Sequence, residues 1–351
     1  MAVNLAEKFV DKVAERFAQK SFSGSLGSKA YNWDGVESIV VYSVDTVPYG
    51  NYTRSGTSRY GTPGELGDYI QTMRMTQDKA ATWTIDKGNA KEQLNIKKAN
   101  ETVGRQQDER LHPLVDKYSF GKWAKDAGLA ITANAAITAN TAMGWLQDAT
   151  EKADDNAFPE DGRFCVCTNA YYKLLKQNPN FVYTEGLANK ALVRGEMGTL
   201  DGWRIVRVPT SYLPTGVHAL CMHNSAILNP VKIQDYKIHV DPPGINGNLV
   251  ETRVLFDAFV LDAKAKGVIA ILASNASHTT APTIAANGNC TALGGTVVYY
   301  TVDGSDPRCS GTRAALSAAN TVLGNAGELI TAIAFNSSCT VEYSDYVTVQ
   351  R

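Results

Sequence analysis

Four groups of residues in this chain have the types and spacing to do chemistry. His218, Cys221 and His223 are the only metal-like cluster. In a strand, residues two apart share a face, so Cys221 and His223 point together and His218 points away. Three ligands do not converge, and the group reads as packing. Cys165-Val166-Cys167 is Cys-x-Cys, with both thiols on one strand face, and also reads as core. Glu151, Asp154, Asp155, Glu160 and Asp161 form an acidic run around Pro159 that reads as a solvated loop. Asp303-Gly304-Ser305-Asp306-Pro307 offers two carboxylates but lacks the spacing and distal Glu of a calcium-binding EF-hand loop. Asp-Gly after an apolar run is a turn signal, because glycine accepts positive φ and Asp and Ser bond the local backbone. The sequence contains no nucleophile elbow, phosphate-binding loop, dinucleotide fingerprint or His-Glu-x-x-His motif. No catalytic residue, bound metal or cofactor is expected, and the chain is not expected to be an enzyme.

The elements that must position such residues divide the chain in two. A length of 351 residues suggests two domains at roughly 100–200 residues each. After Lys266 no lysine occurs, and three Arg face five Asp/Glu. Neither part has the basic excess of a sequence-independent nucleic-acid binder. The six cysteines fall three on each side, which argues against a complete disulfide framework. They read as buried reduced thiols; a disulfide among Cys290, Cys309 and Cys339 stays open. Met1–Lys20 lacks the apolar core of a secretory signal. No run approaches the ~20 apolar residues of a membrane span, so no membrane partner is expected.

Along the chain, Leu5, Phe9, Val13 and Phe17 recur every fourth residue and predict an amphipathic helix over 3–19. Ser21-Phe-Ser-Gly-Ser-Leu-Gly-Ser28 has a flexible linker composition. Residues 36–47, 69–76 and 81–86 are β-rich. They flank a Gly-, Tyr- and Ser-rich excursion carrying Arg54 and Arg59, which suggests an extended hairpin. Residues 89–127 are helical and highly charged, too polar for a core helix, with a break expected near Pro113. A helix is expected at 133–152 and another at 169–177. Strands are expected at 163–168, 203–208, 218–223, 231–240, 249–261 and 267–272, a mixed α+β pattern. Residues 273–280 read as a linker. Strands at 296–302, 328–335 and 341–349 suggest a small β-sandwich.

Three stretches resemble tailed-phage major capsid proteins. Gly67–Lys79 followed by Thr82–Asp86 looks like their extended-loop return strand. Arg110-Leu-His-Pro-Leu-Val-Asp-Lys-Tyr118 resembles the R-x-x-P-x-x-D-x-Y stretch of their long helix, with Leu114 where many relatives have Glu. Glu196–Pro209 is similar to a later strand of the same proteins. The resemblance covers roughly residues 1–272 and implies an HK97-like fold of α+β class. Its expected parts are an N-terminal arm (1–35), an extended loop (36–88), a long helix (89–127) and peripheral and axial α+β regions (128–272). Val297–Pro307 and Ile330–Phe335 resemble the immunoglobulin-like module at the C-terminus of chitobiase and hexosaminidase-type enzymes. That module, expected at 281–351, is not the catalytic one there.

The resemblance implies an icosahedral shell protein located in the virion capsid, with assembly in the host cytoplasm. Hexamers and pentamers of the chain are expected, with portal and scaffolding partners and non-specific contact to packaged DNA. Leu5, Phe9, Val13 and Phe17 would dock the arm on a neighbour, and Arg54, Arg59 and Arg74 would donate inter-subunit ion pairs. Asp303, Gly304, Ser305, Asp306 and Pro307 would be a fold signature of a module displayed outside. A chain ending near 272 is then expected still to assemble. The alternatives are a glycan-binding or adhesion protein, with Tyr299, Tyr300 and Tyr343 stacking on sugars, and a glycan hydrolase with an appended β-module. For the module, weak glycan contact is retained as a partner expectation.

Overall fold

The structure is a computed structural model. It describes residues 21–28, 31, 38–44, 49, 51–61, 63, 65–87, 99–133, 135–178, 198–292, 295–318 and 320–351. Strands β1 (Ser38–Val44) and β2 (Asp68–Arg74) pair antiparallel as a two-stranded ribbon, from Ser38 opposite Arg74 to Val44 opposite Asp68. Alternation gives the ribbon two faces. Ile39, Val41 and Met73 pack inward with Met75, Leu228 and Leu261, while Val40, Tyr42, Val44 and Ile70 stay exposed. Strand β3 (Gln77–Asp86) leaves the hairpin after two residues, so the extended loop expected over 36–88 ends as a ribbon at Arg74.

The long helix is described from Ala99 as α1 (Ala99–Gln106), a π turn (Gln107–Leu111) and α2 (His112–Lys125). Pro113 does not break it. The His112 N–H reaches back to the Gln107 carbonyl, and this one wide turn admits the proline at the first turn of α2. Nor is its second half a surface helix. Phe120 and Trp123 are fully buried, and the Trp123 indole donates to the Leu228 carbonyl at 3.3 Å. The helix ends at Lys125, and three residues on the chain passes Gly128, where a Cβ would stand 2.4 Å from the Ala265 carbonyl oxygen.

The chain continues through β4 (Leu129–Thr132), α3 (Ala142–Asp155), β5 (Arg163–Thr168) and α4 (Asn169–Lys176). Thr168 caps α4 by accepting from the Tyr171 N–H at 3.2 Å. Then come β6 (Thr199–Leu200), β7 (Trp203–Val208), β8 (Val217–His223), β9 (Ile227–Leu228), β10 (Val231–Val240), β11 (Gly247–Phe256), β12 (Phe259–Val260) and β13 (Val268–Leu272). The helix expected from 133 starts nine residues later, because the stretch before it follows β4 as sheet edge and then turns on Thr138 and Thr141. Six strands form one mixed sheet in the order β4-β13-β8-β5-β7-β6, and β10-β11-β3 form a second. One face of the large sheet packs Cys165, Cys167, Cys221 and Ile269 under α3 and α4. The other packs Phe164, Leu220, Met222 and Ala270 against Phe120 and Trp123 of α2.

Past residue 280 lie β14 (Thr283–Ile284), β15 (Asn289–Thr291), β16 (Val297–Thr301), β17 (Ala314–Ala315), β18 (Thr321–Val322), β19 (Leu329–Phe335) and β20 (Val347–Gln350). They form sheets β14-β15-β18 and β17-β16-β19-β20 around Ile284, Cys290, Val298, Leu323, Ile330 and Ala332. The strand expected over 341–349 is confined to its last few residues, because 341–346 turn toward the front domain. Residues 273–280 are not a free tether. The Ala273 N–H bonds the Gly216 carbonyl at 2.7 Å, and Thr279 bonds the Val341 carbonyl at 3.3 Å.

The α2–sheet layer sets the stability of the body. Phe120→Ala is expected to cost about 3–5 kcal/mol, read as a lowered urea midpoint with an unchanged denaturant slope.

Candidate assembly surfaces and the joints that position them

The long helix is a post to which two peripheral segments are tied. Asp116 is 1% exposed, and its carboxylate accepts four hydrogen bonds. Ser21 Oγ (2.7 Å), Phe22 N–H (2.9 Å), Ser23 N–H (3.0 Å) and Ser23 Oγ (2.6 Å) donate. Asn229 Nδ2 then donates to Ser23 Oγ at 2.8 Å. Residues 21–28, expected as a flexible linker, are therefore pinned: Ser23 and Leu26 are buried. The composition suggested flexibility, yet serine hydroxyls and turn N–H groups are also the donors that a buried carboxylate needs.

Tyr118 lies two residues on, hence on the opposite side of the helix. Its hydroxyl donates to Asp257 Oδ1 at 2.9 Å. Burial is the main cause that pushes the Tyr118 phenol up. Asp257 also accepts from the Ala258 N–H (2.7 Å), the Thr76 N–H (2.8 Å) and Thr76 Oγ1 (2.9 Å). Thr76 lies in the two-residue turn between β2 and β3, so this second buried carboxylate fixes the root of the ribbon. Gln71 adds a third tie, donating to the Val260 carbonyl and accepting from the Asp262 N–H, each at 3.0 Å.

The C-terminal module is fixed by a third joint. Arg308 is buried. It donates through Nη1 to the Asp126 carbonyl and through Nη2 to Asp262 Oδ1, each at 3.1 Å, and lies 3.8 Å over the Tyr343 ring. Burial raises the Asp262 carboxyl above the usual range, and Arg308 offsets part of that rise. Asp345 accepts from the Ala130 N–H at 2.9 Å and pairs with Lys152, and Glu342 pairs with Lys125 at 3.4 Å. Val341 belongs to the same buried cluster as Phe120 and Trp123. The module thus shares core with the front domain, which changes the expectation for a chain ending near 272: it would bare part of the main core and leave Asp262 without its cation.

The sequence-expected residues fall in different places. Leu5, Phe9, Val13 and Phe17 lie outside the described residues. Arg54 is exposed and makes no hydrogen bond or ion pair among the described residues. Arg59 Nε donates to the Gly56 carbonyl at 3.2 Å. Both sit in the loop beyond the ribbon, whereas Arg74 stands at its root, so the structure does not bring the three together. At the turn motif, Asp303 accepts from the Ser305 N–H (3.0 Å), Ser305 Oγ (2.5 Å) and Thr312 Oγ1 (2.8 Å). Gly304 takes φ +77° with Leu329 against its open side. Asp306 accepts from the Arg308 N–H at 2.9 Å, so the turn aims Arg308. Arg308 has only a weak sequence signal, that of a rare basic residue directly after the motif. Asp257 and Thr76 gave no signal.

The groups weighed for chemistry are otherwise engaged. His223 bonds Ser225 Oγ at 2.8 Å and the Asp161 carbonyl at 2.7 Å. Cys165 and Cys167 are buried with their thiols pushed well up, away from the reactive thiolate form. Among the described residues, no group of three or more His, Cys, Asp or Glu could hold a metal. Tyr343, weighed for sugar stacking, lies under Arg308.

Two outcomes test these joints. Asp116→Ala should cost about 3 kcal/mol or more in urea unfolding and open residues 21–26 to protease; Lys117→Ala, on the exposed side, should stay within about 0.5 kcal/mol. His278 in the docked segment gives the pH dependence. Burial depresses it below the ordinary 6.5, with Lys152 acting the same way and Asp345 and the Tyr343 backbone opposing. Its buried Nε2 has no hydrogen-bond partner among the described residues. Its stabilisation is complete above pH 6.5 and is lost as pH falls through the lower folded value. The melting temperature should drop over that window, and His278→Gln should flatten the drop.

No family model matches the sequence, and no curated protein matches it. Solved structures do match. A chain from Mycobacterium phage Che8 is 18% identical, with 77% of this chain and 98% of that one covered at a TM-score of 0.65. A chain from the capsid structure of cyanophage P-SCSP1u is 16% identical, with 78% and 94% covered at 0.64. A chain from the bacteriophage PhiM1 mature capsid is 13% identical, with 77% and 92% covered at 0.61. At these identities the likeness is one of fold. The body of this chain has the fold of phage capsid subunits.

Proposed function

We propose that the chain is a major capsid protein of HK97-like fold that self-assembles into the icosahedral shell of a tailed phage. The fold likeness carries this reading, since it spans nearly the whole length of the capsid chains it matches. Residues 1–272 make up the same share of the 351-residue chain as the matched part. The ribbon supports it physically. Val40 (43% exposed), Tyr42 (65%), Val44 (65%) and Ile70 (49%) line one face of a ribbon that a monomer would leave wet. Contiguous exposed apolar faces mark interaction surfaces, and a second copy of the chain is the partner that closed symmetry supplies. Hexamers and pentamers would form the shell, in the virion, around DNA held by non-specific contact, with portal and scaffolding proteins assisting assembly in the host cytoplasm. The role is structural and not catalytic.

Residues 281–351 we read as an immunoglobulin-like module on the outside of the particle; seven strands in two sheets over one core support this. No observation favours glycan binding by it, because Tyr343 and Tyr299 are stacked on Arg308 and Arg313.

Electron microscopy of the purified protein tests the reading, and closed shells are the expected result. Replacing Tyr42 and Val44 together by Asp, on the exposed face, should abolish shells while circular dichroism stays native. Intact shells from that variant would remove the ribbon from the assembly contact.

A further inference from the structure

The module distributes its charges in an unusual way. Eight charged side chains follow Lys266. A free-standing surface domain turns such groups to water. Here five of the eight reach the front domain: Asp306 toward Lys266, Arg308 to Asp262, Arg313 to Tyr69, Glu342 to Lys125 and Asp345 to Lys152. Its aromatic rings behave alike, with Lys266 lying 4.4 Å over Tyr346. The elements so gripped are distant in sequence: the loop end of the ribbon, the end of α2, α3 and the 3-10 segment Asp262–Gly267.

The ribbon is the informative one, because it is held at its loop end, away from the root at Thr76. Tyr69 is in β2. The Arg313 guanidinium lies 5.2 Å over its ring and 4.9 Å over that of Tyr299, so one cation bridges ribbon and module. The Tyr69 hydroxyl donates at 3.4 Å to Asp262 Oδ2, and Arg308 holds the other oxygen of that carboxylate at 3.1 Å. A groove of about 1300 Å³ opens between the same parts and is walled by Tyr69, Lys122, Asp262, Arg308 and Tyr343. The ribbon, α2 and the module therefore line it together, and these contacts bridge ribbon and module across it.

We propose that the C-terminal module is a clamp that fixes the direction in which the β1–β2 ribbon leaves the subunit. Arg313 grips Tyr69 directly, and Arg308 grips it through Asp262. The module then acts on assembly from within the subunit, by presenting the apolar ribbon face at one angle. That consequence rests on the capsid reading; the clamp itself does not.

Hydrogen exchange on the unassembled full-length protein tests it. Arg313 is exposed, so Arg313→Ala removes the stacked cation without opening a core. Amides of residues 68–74 should then exchange about two- to five-fold faster, the worth of an exposed cation–π contact. Adding Arg308→Met should raise this to about tenfold or more, as expected for loss of a charge-assisted bond. Amides of β5, β8, β16 and β19 should keep their rates in Arg313→Ala, and Arg313→Lys should return the ribbon rate toward wild type. Unchanged ribbon exchange in Arg313→Ala would overturn the clamp. So would a rise no larger than that in β5 and β8. Micrographs of the same samples separate the two readings: wild type without shells counts against the capsid function and leaves the exchange result standing.

Discussion

A carboxylate removed from water must find donors in the protein, and two such carboxylates organise this molecule. Asp116 and Asp257 are both almost wholly buried. Each finds its donors where the chain departs from the body, Asp116 at residues 21–23 and Asp257 at Thr76. Backbone N–H groups at a sharp turn lack secondary-structure partners and would be costly to bury unpaired. A buried carboxylate has the opposite deficit. Joining the two satisfies both and fixes the turn in space. The long helix is the common support, since Asp116 is on it and Asp257 is held to it by Tyr118.

Once those roots are fixed, the rest of the architecture is a division between dry joints and wet surfaces. The two carboxylate joints are small, polar and rich in hydrogen bonds. The ribbon that leaves them packs one face on the body and leaves the other apolar and exposed. A monomeric protein gains nothing from that arrangement. A subunit that must cover a neighbour needs both parts: a surface to be buried later, and a root stiff enough to aim it.

The C-terminal module follows the same logic with a cation. Arg308 is buried against Asp262, the Asp126 carbonyl and the Tyr343 ring. A buried ion pair adds little net stability over a well-packed apolar contact, because both ions lose their hydration. It does enforce geometry, because a misaligned module would leave both charges unpaired in a dry site. The joint is therefore better suited to fixing an orientation than to strengthening the fold.

Much of the fold was legible in the sequence. Strands β5, β7 and β10 coincide with their expected ranges, because short segments rich in apolar and β-branched residues bounded by turn residues favour strands. The helix motif drew attention to Asp116 and Tyr118, and the lysine-free tail separated the module. Local pattern failed where a partner lay far along the chain. The serines of 21–28 read as linker because the acceptor that orders them is ninety-odd residues away. The second half of the long helix read as a surface helix because its buried face carries Asp116 and Ser119 among the apolar residues. The existence and type of most strands and the place of the module's turn were set locally by residue type and period. Tertiary structure decided which charged groups are buried and which element each one holds. The physical reason is that desolvation and charge pairing depend on what the rest of the chain brings alongside, and no local spacing encodes that.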